Sequence, residues 1–272
     1  MQNFSIAPNE MVASLWRNRG LVNALVRREV VGRYRGSFMG ILWSFFNPMF
    51  MLAVYTFVFS VVFKARWNAG SDSKTEFALV LFAGLIVFNL FAECVNRAPS
   101  LILSNVNYVK KVVFPLEILP AVVMGSALFH ACISSGVWLL AYLLFFGLPH
   151  LTVLLLPLAV LPLLLLSMGL SWMLASLGVY LRDVSQFIGI AVTVLMFLSP
   201  IFYPASALPE EYRHILLLNP LTPAIEQARD VLFWGKVPDM SIWFVTLLGA
   251  ASGAWLGFAW FQRTRKGFAD VL

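Results

Sequence analysis

Six long apolar stretches make up most of this 272-residue chain. They run from Met39 to Phe63, Phe77 to Val95, Ile118 to Phe146, Leu151 to Tyr180, Val184 to Phe202 and Met240 to Phe261. A bilayer core of about 30 Å needs roughly 20 apolar residues in a helix, and each stretch meets or approaches that length. The sequence therefore predicts an all-α integral membrane protein with six transmembrane helices.

The composition agrees with this prediction and excludes most soluble folds. Charged residues make up 12% of the chain and hydrophobic residues 60%, whereas soluble domains carry about 25% charged residues. Cys94 and Cys132 both fall inside apolar stretches, so neither a disulfide framework nor a metal site is expected. We divide the chain into a cytoplasmic N-terminus (residues 1–37), one transmembrane domain (38–262) and a cytoplasmic tail (263–272).

The distribution of Lys and Arg predicts the orientation in the membrane. Thirteen of the nineteen basic residues lie before the first stretch, after the second, after the fourth or after the sixth. Basic residues concentrate on the cytoplasmic side of membrane proteins, so both termini are predicted to be cytoplasmic. The net charge of +6 is thereby explained by topology, and no nucleic-acid partner is expected.

Residues 14–35 predict an amphipathic interface helix before the first span. Leu15, Val22, Leu25 and Val26 share one helical face, and arginines lie elsewhere around the helix. Such a helix either anchors to anionic membrane lipid or docks a cytoplasmic partner, and both roles fit the sequence.

Two connections differ from ordinary solvated loops. The cytoplasmic loop 97–117 mixes polar, aromatic and basic residues as a binding surface does, although its charges also follow from topology. The external stretch 200–239 is too apolar for a free loop and too rich in proline to span. It fits two short re-entrant or interfacial helices, one beginning at Pro209 and one with Thr222 as N-cap that closes at Gly235. The stretch is therefore either an external gate or a pair of interfacial helices.

The sequence contains no motif for enzyme chemistry. The pair Gly235-Lys236 lacks the upstream glycine of a phosphate-binding loop, so the chain is not expected to hydrolyse ATP alone. Glu93 and Arg97 are spaced for a structural i,i+4 ion pair. His130 lies alone in the middle of a span and is expected to form interhelical hydrogen bonds.

The first span carries two aromatic stripes at helical spacing. One stripe contains Trp43, Phe46, Phe50 and Phe57, and the other contains Phe45, Tyr55, Phe59 and Phe63. Aromatic faces suit sugar rings, although phenylalanines that face lipid or neighbouring helices are commoner. The sequence does not show which stripe faces a channel.

Seven short stretches carry a family resemblance through their order and spacing. They are RREVVGRYRGS (27–37), MGILWS (39–44), NP (47–48), KKVVFP (110–115), YLRDV (180–184), SPIFY (199–203) and NPL (219–221). In this order around six spans they resemble the permease subunit of ABC-2-type polysaccharide exporters, most of all the O-antigen (lipopolysaccharide) export permease.

The resemblance implies partners and a location. The expected assembly is a homodimer in the bacterial inner membrane, with two separate ATP-binding cassette subunits that carry ATP and Mg²⁺. The expected substrate is an undecaprenyl-linked polysaccharide. The residues expected to couple to the ATPase are Asn107, Tyr108, Lys110, Lys111, Phe114, Arg182 and Asp183.

Two further groups of residues are hypotheses within this mechanism. The first and fifth spans are expected to line the path with Trp43, Phe46, Tyr55, Phe59, Phe197 and Tyr203. Arg33 and Arg35 are expected to bind the pyrophosphate of the lipid carrier, unless they serve only as positive-inside anchors.

Three alternatives stay open. The first is an ABC exporter permease whose polymer is capsule or teichoic acid rather than O-antigen. A membrane enzyme of lipid-linked glycan assembly would need acidic or metal-binding residues at an interface, which the sequence does not show. A small-molecule exporter fits the aromatic first span less well.

Overall fold

The computed structural model describes residues 5–59, 67, 74–110, 114–207, 209–211, 216 and 219–272. Within these residues the regular structure is entirely helical, so the predicted all-α class is confirmed. The α-helices are α1 (Pro8–Arg17), α2 (Arg19–Tyr34), α3 (Trp43–Phe57), α4 (Lys74–Arg97), α5 (Val106–Lys110), α6 (Leu119–Phe146), α7 (Leu156–Tyr180), α8 (Val184–Leu198), α9 (Leu221–Arg229), α10 (Met240–Thr264) and α11 (Phe268–Val271).

Five helical segments of the described chain are long and apolar enough to cross a bilayer. They are Gly40–Phe57, Thr75–Ser100, Leu116–Phe146, Leu151–Tyr180 and Met240–Val271, and they coincide with five of the predicted spans. The remaining prediction, 184–202, corresponds to α8. This apolar helix has 15 residues and is therefore about 22 Å long. Residues 60–63, the predicted end of the first span, lie outside the described chain.

Helix α4 is the centre of the bundle. Of the most apolar part of this span, 83% is buried inside the protein, and the helix packs against α3, α6, α7, α8 and α9. A helix that is apolar on all sides is expected at such a position, because it has no polar face to turn towards water.

Helices α7 and α10 share the most extensive contact between spans of the described chain. A Cβ atom on Gly257 would lie 2.1 Å from the carbonyl oxygen of Gly169, and one on Gly169 would lie 2.6 Å from that of Gly253. Gly253 and Gly257 have the GxxxG spacing that lets two helix backbones approach closely in membranes.

The two helices run in the same direction. Near their starts the Trp243 indole N–H donates to the Leu158 carbonyl at 2.7 Å. Near their ends the Tyr180 hydroxyl donates to the Thr264 carbonyl at 2.8 Å. The chain between them must therefore return from one end of the bundle to the other.

The N-terminal segment is two helices, so the prediction of one helix over 14–35 is wrong. Helix α1 ends at Arg17, and α2 begins at Arg19. At the break, the Asn18 side-chain amide donates to the Ser14 carbonyl at 2.8 Å. It thereby satisfies one of the carbonyl groups that a helix end leaves without an intrahelical partner.

The apolar face of α2 packs on protein. Leu25 is buried against Ile118 and Val122 at the start of α6, with Val22 and Val26 beside them. The apolar side chains of the N-terminal segment that remain exposed to lipid or to a partner include Val12, Trp16 and Val31.

Helix α9 is the second of the two predicted external helices. It continues into a π-helical turn, Asp230–Trp234, and closes at Gly235 with φ +66°, a conformation that favours glycine. The predicted start is wrong, because Thr222 lies inside the first turn and the Asn219 side-chain oxygen accepts from the Leu221 N–H at 3.0 Å. Most of the helix predicted from Pro209 lies outside the described chain.

Candidate functional site

Charged side chains join α2 to the spans α4 and α6 at one end of the bundle. Arg33 Nη2 lies 2.5 Å from Glu93 Oε1, and Arg97 Nη2 lies 2.5 Å from Glu29 Oε1. His130 Nδ1 lies 3.1 Å from Glu93 Oε2. We call these five residues the α2 cluster.

The predicted i,i+4 pair is one part of the α2 cluster. Arg97 Nη1 lies 3.4 Å from Glu93 Oε1, which is longer than the contacts that Arg33 and Glu29 make from α2. Local spacing on α4 identified Glu93 and Arg97 but contained no signal for partners on another helix. His130 contacts α2 as well, since the Tyr34 hydroxyl lies 3.1 Å from its Nε2.

The two arginines predicted to bind pyrophosphate have different surroundings. Arg33 already pairs with Glu93, so an anion would have to compete with that carboxylate. The Arg35 side chain is exposed and forms no hydrogen bond or ion pair with any other residue that the structure describes.

The predicted coupling loop forms the short helix α5 and a connection to α6. The Tyr108 ring stacks on Phe114 with centroids 4.3 Å apart, and its hydroxyl accepts from Arg28 Nη2 at 2.9 Å. Asn107 and Lys110 are exposed, so their side chains are accessible to a partner. Lys111 lies outside the described residues.

The other predicted coupling residues, Arg182 and Asp183, lie exposed in the turn between α7 and α8. The backbone carbonyl of Asp183 accepts from Gln186 and Phe187 and so begins α8. Tyr180, at the end of α7, lies beside Phe268 of α11 with ring centroids 6.1 Å apart. Helix α11 also contacts α5, so both predicted coupling segments lie at the same end of the molecule.

A buried arginine joins three segments at the opposite end. Arg229 of α9 is 4% exposed. Its Nε donates to the Val80 carbonyl at 3.0 Å, and its Nη1 and Nη2 donate to the Pro200 and Ile201 carbonyls at 2.5 and 2.8 Å. The guanidinium also lies 4.3 Å above the Trp67 ring.

The surroundings of Arg229 explain the charge state of its guanidinium and the space that the guanidinium occupies beside α4. Burial lowers the pKa of Arg229 to about 9, although the Glu226 charge opposes this shift, so the guanidinium remains positive at neutral pH. A Cβ on Gly84 of α4 would lie 2.7 Å from its Nη2, so only glycine leaves room for it there. From the sequence alone, Arg229 is only one of the six basic residues that lie on the predicted external side.

The predicted path residues fall into two groups. Phe59 stacks on Phe202 with centroids 5.8 Å apart, Phe202 stacks on Phe197 at the same distance, and the Tyr203 hydroxyl donates to the Phe197 carbonyl at 3.2 Å. Phe202, which the prediction omitted, therefore connects the first and fifth predicted spans.

The other path residues lie elsewhere on α3. Trp43, at its start, is 41% exposed, and Phe46 stacks on Phe50 with centroids 6.1 Å apart. Tyr55 packs against the core around α4. The stripe with Trp43, Phe50 and Phe57 is thus the exposed one in a single chain.

A family comparison decides the class of this protein. The model of the ABC-2 type transporter family matches residues 20–233. The chain belongs to this family. In this ABC-2 transporter the matched region begins in α2 and ends in the π-helical turn after α9, so it includes the α2 cluster, α5 and Arg229.

Named relatives resemble this ABC-2 transporter over nearly its whole length. The O-antigen export system permease protein RfbA of Myxococcus xanthus is 29% identical over 264 residues, which cover 96% of this chain and 99% of that protein. RfbA of Klebsiella pneumoniae is 25% identical over 255 residues, covering 93% and 95%. The polysialic acid transport protein KpsM of Escherichia coli is 25% identical over 227 residues, covering 80% and 83%.

Proposed function

We propose that this chain is the permease subunit of an ABC exporter that moves a lipid-linked polysaccharide of the O-antigen type across the bacterial inner membrane. The observation that carries the proposal is the similarity to two O-antigen export permeases over 96% and 93% of the chain. The energy comes from separate ATPase subunits, since the sequence contains no phosphate-binding loop.

We infer six crossings with both termini in the cytoplasm. The parallel course of α7 and α10 supports a return crossing between them, and α8 is the apolar helix in that part of the described chain. Bilayers thin locally to fit a short span, so the length of α8 is compatible with crossing. The positive-inside rule supports a cytoplasmic location for the end that holds α2 and α5.

The mechanism begins at this cytoplasmic end. Two permease chains pair about a two-fold axis, because six helices would hardly enclose a path wide enough for a glycan. ATP binding closes the ATPase pair against the exposed residues Asn107, Lys110, Arg182 and Asp183. The α2 cluster and α5 transmit this movement to α4 and α6.

At the outer end, the segment around α9 acts as the gate. Arg229 connects α9 to α4 and to the corner after α8, so these segments move together. The aromatic group of Phe59, Phe197 and Phe202, with Tyr203 beside it, lies next to this corner and offers surface to sugar rings. Arg35, and Arg33 once it leaves Glu93, bind the pyrophosphate of the carrier at the inner end.

The test is deletion of the gene in its own host, followed by separate measurement of polymer synthesis and polymer at the cell surface. We expect surface polysaccharide to disappear while lipid-linked polymer accumulates inside, and a plasmid copy to restore export. The tagged chain should co-purify with an ATPase in equal amount. Loss of polymer synthesis, or recovery of a glycosyltransferase without an ATPase, would contradict the proposal.

A capsular polymer is the second candidate, because KpsM also covers 80% of the chain. The same deletion strain distinguishes a capsular polymer from O-antigen. Mass spectrometry of the retained polymer identifies its repeat and the lipid at its end, and a capsular repeat would replace O-antigen as the substrate.

A further inference from the structure

A further ion pair lies inside the cytoplasmic end, between residues that the mechanism above does not use. Arg265 Nη1 lies 2.6 Å from Glu117 Oε2, and the two side chains are only 12% and 10% exposed. The other carboxylate oxygen of Glu117 accepts from the Ser14 hydroxyl of α1 at 2.8 Å. One carboxylate therefore joins α1, the start of α6 and the segment after α10.

The same arginine contacts the coupling loop directly. Arg265 Nη2 donates to the Phe114 carbonyl at 3.2 Å, and the Phe114 ring stacks on Tyr108 of α5. Lys110 of α5 donates to the carbonyl of Leu272. Helix α5 therefore contacts the C-terminal segment directly through Lys110 and indirectly through the stack of Tyr108 on Phe114.

The C-terminal segment is itself firmly packed. Phe268 is fully buried and contacts Phe261 and Tyr180, with ring centroids 5.5 and 6.1 Å away. Trp172 of α7 donates to the Glu117 carbonyl at 2.8 Å. The ion pair therefore lies among side chains that leave it little room to move, and removing one partner would bury an uncompensated charge.

We propose that Arg265 is a positioning residue that fixes the coupling helix α5: with Glu117 and Ser14 it joins α1, α5 and residues 265–272 into one rigid body. This inference rests on the proposed function. When the ATPase subunits push on α5, the rigid body transfers the displacement to α6 and α10 instead of letting α5 move alone.

The experiment measures polymer exported per ATP hydrolysed, in the complete complex of permease and ATPase subunits. The variants are Arg265→Gln, Glu117→Gln and Ser14→Ala, and Arg265→Lys is the conservative change. Arg263→Gln is the matched control, because Arg263 lies two residues earlier, near the end of α10, and its side chain is exposed and forms no hydrogen bond or ion pair with other residues that the structure describes.

We expect Arg265→Gln to assemble with the ATPase and to hydrolyse ATP. The amount of polymer exported per ATP should fall about fivefold or more, because loss of an ordinary coupling free energy between two sites has an effect of this size. Arg265→Lys should restore part of this ratio and Ser14→Ala should lower it less. Arg263→Gln should match the wild type.

Two results would overturn the inference. One is an unchanged ratio in Arg265→Gln, and the other is a fall in export that merely follows a fall in the amount of assembled complex. If Arg265→Gln is not recovered from membranes, the double variant Glu117→Gln/Arg265→Gln removes both charges and is expected to fold, and its ratio decides the question. If the wild-type complex itself exports no polysaccharide, the proposed function fails instead.

Discussion

Arg229 is the residue whose replacement should cost most stability for the smallest change in shape. It satisfies three backbone carbonyls on two different segments. Arg229→Met leaves these acceptors without a donor inside the protein. We expect a loss of about 3 kcal/mol or more, seen as a lower unfolding midpoint in detergent. Arg229→Lys should recover only part, because lysine lacks the planar fork.

The control for Arg229 is Lys236→Gln. The Lys236 side chain is 70% exposed, and its Nζ lies 3.9 Å from Asp230, so the change should cost less than about 1 kcal/mol. An Arg229→Met protein that unfolds at the wild-type midpoint would show that the three carbonyls find other donors.

The α2 cluster offers a second test at this scale, because two ion pairs of equal length differ in burial. Arg33–Glu93 and Arg17–Glu10 both measure 2.5 Å, with side-chain exposures of 39% and 17% in the first and 62% and 29% in the second. A double-mutant cycle with glutamine should give about 1–3 kcal/mol of coupling for Arg33–Glu93 and less than about 1 kcal/mol for Arg17–Glu10. Equal values would mean that burial does not strengthen the first pair.

At the scale of elements, the contact between α7 and α10 depends on glycine. Gly257→Ala places a Cβ 2.1 Å from a backbone oxygen that no side-chain rotation can move. The two helices must separate, and we expect a loss of about 1–3 kcal/mol in thermal unfolding. Gly249→Ala is the control on the same helix, since nothing lies within 4 Å of its added Cβ, and it should be neutral or slightly stabilising. Similar midpoints for both variants would contradict close packing at Gly257.

The same scale shows what the sequence could predict. Apolar runs gave five of the spans within a few residues, because the bilayer fixes the length of a crossing helix. The break at Asn18 was missed, since apolar residues keep helical spacing on both sides of it. The roles of Arg229 and Arg265 were missed for another reason. The carbonyls that Arg229 binds lie between 28 and 149 residues away in the chain, and Glu117 lies 148 residues from Arg265. Local sequence patterns contain no signal for such distant pairs.

At the scale of the whole molecule, the structure places its two terminal segments together. Ser14 and Arg265 both bind Glu117, and the Trp255 indole donates to the Ile6 carbonyl at 3.0 Å. This contact fits the six crossings proposed above, because an even number of crossings brings both terminal segments to the same side of the membrane. This is the physical reason to count α8 as a crossing helix despite its 15 residues.

Labelling of single cysteines in intact cells tests this topology. In a background without Cys94 and Cys132, we expect Ser5→Cys and Ala269→Cys to react with an impermeant maleimide only after the membrane is opened. Ser206→Cys lies exposed beyond α8 and should react in intact cells. Reaction of Ala269→Cys in intact cells would indicate an odd number of crossings.

The contact between the two terminal segments also bears on how the chain is made. A ribosome delivers Ser14 of α1 103 residues before Glu117 and Ile6 249 residues before Trp255, so α1 emerges before its partners exist. During synthesis it must wait at the membrane surface, where its exposed Trp16 and Val12 suit the lipid interface. Docking of the N-terminal segment is therefore complete only after the last span is inserted, and a chain that stops before α10 lacks the contact between Trp255 and Ile6.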